Sequence, residues 1–151
     1  MPWFQTLDRL TDADAGIVRR RRYGYIETVD GRLSRIGFRP FPKLVTAAGT
    51  RLVAPWRRRL RRGNRCRLYF NQPRRHANFL NLQYVETTRD ADYATFRCAL
   101  TVLDEVARLK DVDALLCDAA NVRLTDRLLA RLGWAPHAPL PGHRNFIKRR
   151  K

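Results

Sequence analysis

From Phe79 to Glu86 apolar and polar residues alternate, with Leu80, Leu82 and Tyr84 on one face and Asn81 and Gln83 on the other. That is the period of a half-buried strand. The period then changes. Tyr93, Phe96, Leu100, Leu103 and Ala107 recur at helical spacing, while Arg97, Asp104, Glu105 and Arg108 fall largely on the opposite side, which predicts an amphipathic helix. Thr88, Asp90 or Asp92 can cap its start, because a side-chain oxygen there accepts from a free backbone amide. Asp111–Cys117 is a short, mostly apolar run, the pattern of a strand covered on both faces. Asn121–Leu132 reads as a second helix with Leu124, Leu128, Leu129 and Leu132 on one side. Gly133 ends it and Trp134 returns to the core. Asn145-Phe-Ile-Lys148 closes the series as a strand.

The chain before residue 76 is less regular. Tyr23–Val29 and Arg32–Arg39 predict two strands around Asp30-Gly31, a pair suited to a type I′ hairpin turn. Pro40 and Pro42 break the chain. Leu44–Val53 suggests a further hairpin, Cys66–Phe70 a strand and Gln72-Pro73 a turn. A strand–helix–strand–helix–strand order implies a βαβ unit. The expected fold is therefore α/β (α+β): a mixed, mainly antiparallel sheet with flanking helices. A length of 151 residues fits one domain, with an irregular half over 1–75 and a well-patterned half over 76–151.

Charge separates the halves more sharply. The net charge is +17, from 31 Lys and Arg against 14 Asp and Glu. Residues 1–75 hold 19 of the basic and 5 of the acidic groups, and no acid occurs from Gly31 to Val85. Such an imbalance points to an acidic partner: nucleic acid, a phosphorylated ligand or an acidic protein. Arg57, Arg58, Arg59, Arg61, Arg62, Arg65, Arg67, Arg74 and Arg75 interleave with Trp56, Tyr69 and Phe70. Guanidinium forks suit phosphates and aromatic faces stack on unpaired bases, so this mixture suits RNA or single-stranded DNA. A solvated arginine face is the plainer alternative. Arg19–Arg22 is a second basic cluster, whose position relative to the first is not legible in the sequence.

The stretch from Asn78 to Arg150 resembles the C-terminal half of the GNAT (acyl-CoA N-acyltransferase) superfamily. The resemblance rests on Leu128-Leu-Ala-Arg-Leu-Gly-Trp134, similar to that family's helix ending in Gly-aromatic. Asn121 resembles the Asn that opens that helix, and Arg144–Lys148 resembles the final core strand. It implies a strand that splits from its parallel neighbour, an acyl-CoA cofactor such as acetyl-CoA, and transfer of the acyl group to an amine. Val85, Thr87, Thr88, Arg89 and Asn121 would then contact the cofactor. Glu86 would be placed as a general base. Two positions depart from the family's pattern. The loop Glu86–Asp92 has none of the glycines that cradle a pyrophosphate, and Leu129 stands where a proton-donating Tyr is usual. The runner-up reading is a non-catalytic basic module that binds nucleic acid.

Other chemistry is thin. His76, His137 and His143 lack metal-ligand spacing, so no metal is expected. Cys66, Cys98 and Cys117 form no CxxC pair and suggest neither a disulfide framework nor a zinc site. Arg65 and Arg67 flank Cys66 and would favour its thiolate, but no partner base is near in sequence. No run is long and apolar enough for a membrane span and no signal-peptide layout is present. The expectation is a soluble cytoplasmic protein.

Overall fold

The computed structural model describes residues 5–40, 63–118, 125–137 and 145–150. In chain order the elements are β1 (Gln5–Leu7), α1 (Ala15–Arg20), β2 (Tyr23–Val29), β3 (Arg32–Arg39) and β4 (Arg65–Asn71). There follow β5 (Phe79–Thr87), α2 (Tyr93–Lys110), β6 (Ala114–Asp118), α3 (Asp126–Arg131), β7 (Ala135–Pro136) and β8 (Asn145–Arg149). The described strands form one sheet in the order β1-β3-β2-β4-β5-β6-β8-β7. Every neighbouring pair is antiparallel except β5 and β6, which run parallel across α2. This is the mixed, mainly antiparallel architecture that the sequence implies. The hairpin between β2 and β3 turns where expected, with Asp30 and Gly31 both left-handed at φ 52° and 78°.

One face of the sheet is the core face. Ile26, Ile36, Phe38, Leu68, Phe70, Leu80 and Leu115 project from it against Phe96, Ala99, Leu100, Leu103 and Val106 of α2. Thr28 Oγ1 donates to the carbonyl of Thr95 at 2.8 Å, and the Thr95 hydroxyl accepts from the Gly31 amide at 2.8 Å. Those two bonds fix the first turn of α2 to the β2–β3 hairpin. Cys117, Leu129 and Trp134 belong to the same core, and Gly133 reverses the chain after α3 at φ 92°.

Several boundaries differ from the sequence reading. Tyr93, expected in the apolar stripe, is 47% exposed, because the first residue of α2 lies beyond the sheet-facing turns. Asp111 is a left-handed helix cap rather than part of a strand, so β6 begins at Ala114. In the described residues α3 begins after Thr125, whose hydroxyl accepts from the Leu128 amide at 3.2 Å. Asn121, expected to open that helix, lies outside the described residues, as do the expected hairpin over Leu44–Val53 and His143. The short α1, only six residues, carries too little periodicity to stand out in the sequence.

Candidate functional site

The best-defined concavity lies where β5 and β6 part company. Their parallel ladder pairs Phe79–Leu82 with Ala114–Cys117 and then stops. β5 continues to Thr87 along β4 alone. A β-bulge marks the same place: Phe70 pairs with Leu82 and Tyr69 with Tyr84, leaving Gln83 as the extra residue. A bulge bends its strand and increases the local twist. We attribute the parting to it. The bulge also resets the faces. Beyond Gln83, Val85 takes the core side and Tyr84 the opposite side, so Tyr84 does not share a face with Leu80 and Leu82 as simple alternation predicts.

A cleft of about 400 Å³ opens at this point. Asn81, Leu82 and Gln83 line one wall, Leu116, Cys117 and Asp118 the other, and His137, Asn145 and Phe146 complete it. Asn81 Oδ1 is buried without a hydrogen-bond partner, as is Oδ1 of Asn71, its cross-strand neighbour. An acceptor buried in that state costs about 1–3 kcal/mol unless a donor reaches it. Asn81 lies on the cleft wall with this oxygen turned away from solvent. Neither Asn81 nor His137 stood out in the sequence as a site residue. Nothing local marks a bulge, and His137 sits among prolines that read as an ordinary loop.

At the far end of β5 the turn into α2 is tightly bonded. Asp92 caps the helix, its Oδ1 accepting from the Thr95 amide at 2.8 Å, a bond that holds the carboxyl below its usual pKa. Asn64 grips Asp92 from β4's side, donating to Oδ2 at 2.9 Å and accepting from the Asp92 amide at 2.8 Å. Thr88 is 5% exposed; its hydroxyl donates to Gly63 O at 2.6 Å and accepts from the Arg65 amide at 2.8 Å. The Thr88 side chain, one of those offered as a cap for α2, is thus committed to holding the loop. Thr87 and Arg89 are exposed, while Val85 packs against the core. The carboxylate of Asp92 fills the position an anion would take at this helix start.

Glu86 is half-buried on the face away from α2, opposite Arg67 in register. It is four residues beyond Leu82 and outside the cleft lining. The same face carries the rings of Tyr25, Tyr69 and Tyr84 in a row, with centroids 6.1 and 6.3 Å apart. Arg67 lies over the Tyr25 ring at 4.8 Å and its Nη2 meets Glu27 Oε2 at 3.1 Å. Arg67, Tyr69 and Phe70 are all buried. Burial removes them from any nucleic-acid contact surface, which takes Arg67 and Tyr69 out of the set expected to touch nucleic acid. Along a strand, neighbours point to opposite faces, and here both faces are covered. Arg65, Arg74 and Arg75 are exposed, and Arg57, Arg58, Arg59, Arg61 and Arg62 lie outside the described residues. Cys66 is buried, and burial pushes its thiol up to about 12, which removes it as a nucleophile at neutral pH. Among the described residues no three His, Cys, Asp or Glu are grouped to hold a metal, and no helix is long and apolar enough to cross a membrane.

No family model matches the sequence, and no curated protein matches it. Two solved structures align with the fold. One is a nourseothricin acetyltransferase, at 11% identity and a TM-score of 0.46, covering 98% of this chain and 99% of the other. The second is described as an acetyltransferase from Staphylococcus aureus Mu50, at 10% identity and a TM-score of 0.45. That alignment covers 57% of this chain and 64% of the other.

Proposed function

We propose that this chain binds acyl-CoA and transfers the acyl group to an amine. The observation that carries this reading is the parting of the parallel strands β5 and β6 at a bulge, with a cleft between them. Such a cleft suits a thin, amide-bearing chain. The pantetheine arm of CoA would lie in it, its N–H groups within reach of main-chain carbonyls along Gln83–Thr87. Asp92 occupies the helix start, so the anionic end of CoA needs other partners; the exposed guanidinium groups of Arg65 and Arg89 flank the loop.

The chemistry follows from the groups at hand. The amine nitrogen attacks the thioester carbonyl, the new C–N bond forms and the C–S bond breaks. The amine loses its proton to solvent, and the departing thiolate takes one. Leu129, fully buried in the core, has none to give. His137, on the cleft wall, is the group suited to that role.

Thiol release from acetyl-CoA in the presence of primary amines tests the reading. Release above the rate without protein is expected, falling at least tenfold in His137→Gln. No release from acetyl-, propionyl- or longer acyl-CoA with any of a panel of small amines and lysine peptides would contradict it.

A further inference from the structure

The two basic clusters that the sequence leaves unrelated meet at one end of the sheet. Arg22 is the last residue before β2 and Gln72 the first after β4, and the Gln72 amide donates to Arg22 O at 2.7 Å. Lys110, the final residue of α2, closes the junction. Its Nζ donates to Val18 O at 2.6 Å, to Gln72 Oε1 at 3.0 Å and to Arg21 O. Arg19 and Arg20 in the last turn of α1 therefore stand beside Arg74, Arg75 and His76, all five exposed. Arg39 belongs to the same end, opposite Tyr23 in register.

Five of these arginines lack a carboxylate partner among the described residues. Arg19 and Arg20 bond only to backbone carbonyls, and none of Arg19, Arg20, Arg22, Arg74 and Arg75 makes an ion pair among the described residues. Glu27 holds Arg35 and Arg67, Asp12 and Glu105 hold Arg108, and Asp104 holds Lys148; the acids nearest this end are Asp111, the cap after Lys110, and Asp113, beside Asn78. At the centre, Arg22 Nη1 is buried with no acceptor, next to the buried ammonium of Lys110. Two cations so placed repel each other and leave a donor unsatisfied. A polyanion docked over the exposed arginines around them would lower that repulsion.

We propose that this end of the sheet, with Arg19, Arg20, Arg22, Arg74 and Arg75 at its centre, is a docking surface for the phosphodiester backbone of double-stranded nucleic acid. The alternatives fit less well. An anionic membrane surface calls for an apolar anchor beside the charge. The one large hydrophobic side chain exposed among the described residues is Tyr93, at the opposite end of α2 and about 25 Å away along its axis. Among the described residues the rings at this end are one pair, His76 and Phe79 with centroids 6.4 Å apart, and a run of unpaired bases calls for a succession of them. Guanidinium groups spread over the rest of this end read phosphate and not sequence.

Fluorescence anisotropy with a labelled 20-base-pair DNA duplex, and its RNA counterpart, tests the proposal between 50 and 200 mM KCl. Binding should weaken linearly in log–log form as salt rises. Arg74→Ala/Arg75→Ala should lower affinity at 50 mM by about tenfold to a hundredfold and reduce the salt slope by about 2. Arg127→Ala/Arg131→Ala removes the same charge from α3 and should stay within about twofold of the parent protein, a difference that the per-contact salt dependence makes easy to resolve. Equal losses in the two double variants would overturn the proposal, because they would show charge acting without a site. So would no binding at 50 mM, a twenty-nucleotide oligo-dT bound more tightly than the duplex, or phosphatidylserine vesicles bound in its place. Circular dichroism of each variant confirms that the fold is retained.

Discussion

Replacing Glu27 by Leu lowers the unfolding free energy by about 3–5 kcal/mol, the expected cost of leaving a buried charge without its partner. Glu27 is 2% exposed, and its Oε2 lies 3.1 Å from both Arg67 Nη2 and Arg35 Nε. The two arginines differ in what they lose. Half of the Arg35 side chain faces water, so its guanidinium can rehydrate, but the Arg67 side chain is 10% exposed and packed over Tyr25. The loss therefore falls on Arg67. Replacing both members, Glu27→Leu with Arg67→Met, removes the stranded charge and should recover at least half of the stability. Urea denaturation of the three proteins measures this. A single variant within about 1 kcal/mol of the parent protein, the size of an exposed pair, would show that the ion pair is not buried in solution.

The second large effect is a stability that rises with pH in the alkaline range. Burial, and then the charge of Arg22, push Lys110 down from 10.5 to about 8. Its other neighbours, Val18 O, Arg21 O and Gln72 Oε1, are neutral acceptors. Between about pH 8 and 10.5 the unfolded chain binds a proton at this lysine that the folded chain does not. Unfolding then takes up a proton, so stability increases with pH across that window and is lost as pH falls through 8. The shift corresponds to a change on the order of 3 kcal/mol. Urea midpoints at pH 7.5, 8.5 and 9.5 should climb for the parent protein and climb less for Lys110→Met. Parallel profiles would contradict the assignment.

Glu27 and Lys110 illustrate what the sequence does not carry. Each is a charged residue in a segment with an ordinary local pattern, and each is buried because partners tens of residues away surround it. Arg67 is 40 residues from Glu27, and Val18 is 92 from Lys110. Periodicity reports only neighbours on the same element. It served well where structure is local. The β2–β3 turn at Asp30-Gly31, the span of α2 and the return of Trp134 after Gly133 all stand as read. The alternation of β5 was legible to Leu82 and misleading beyond it, because one inserted residue at Gln83 reverses the faces without altering composition. The cleft depends on that same residue, so the part of the candidate site best defined by structure is the part least visible in the chain. The arginine-rich stretch fails differently. Arg65, Arg67 and Arg74 look like one cluster in sequence, but β4 carries Arg65 to one end of the sheet, buries Arg67 and leaves Arg74 at the other end with Arg19 and Arg20.

Isothermal titration of CoA into the protein tests the central claim most directly. Saturable one-to-one binding in the micromolar range is expected. Gln83→Trp, which fills the mouth of the cleft, should weaken it at least tenfold while leaving the fold intact by circular dichroism. No heat at millimolar CoA, or equal binding by Gln83→Trp, would contradict the placement of an acyl carrier between β5 and β6.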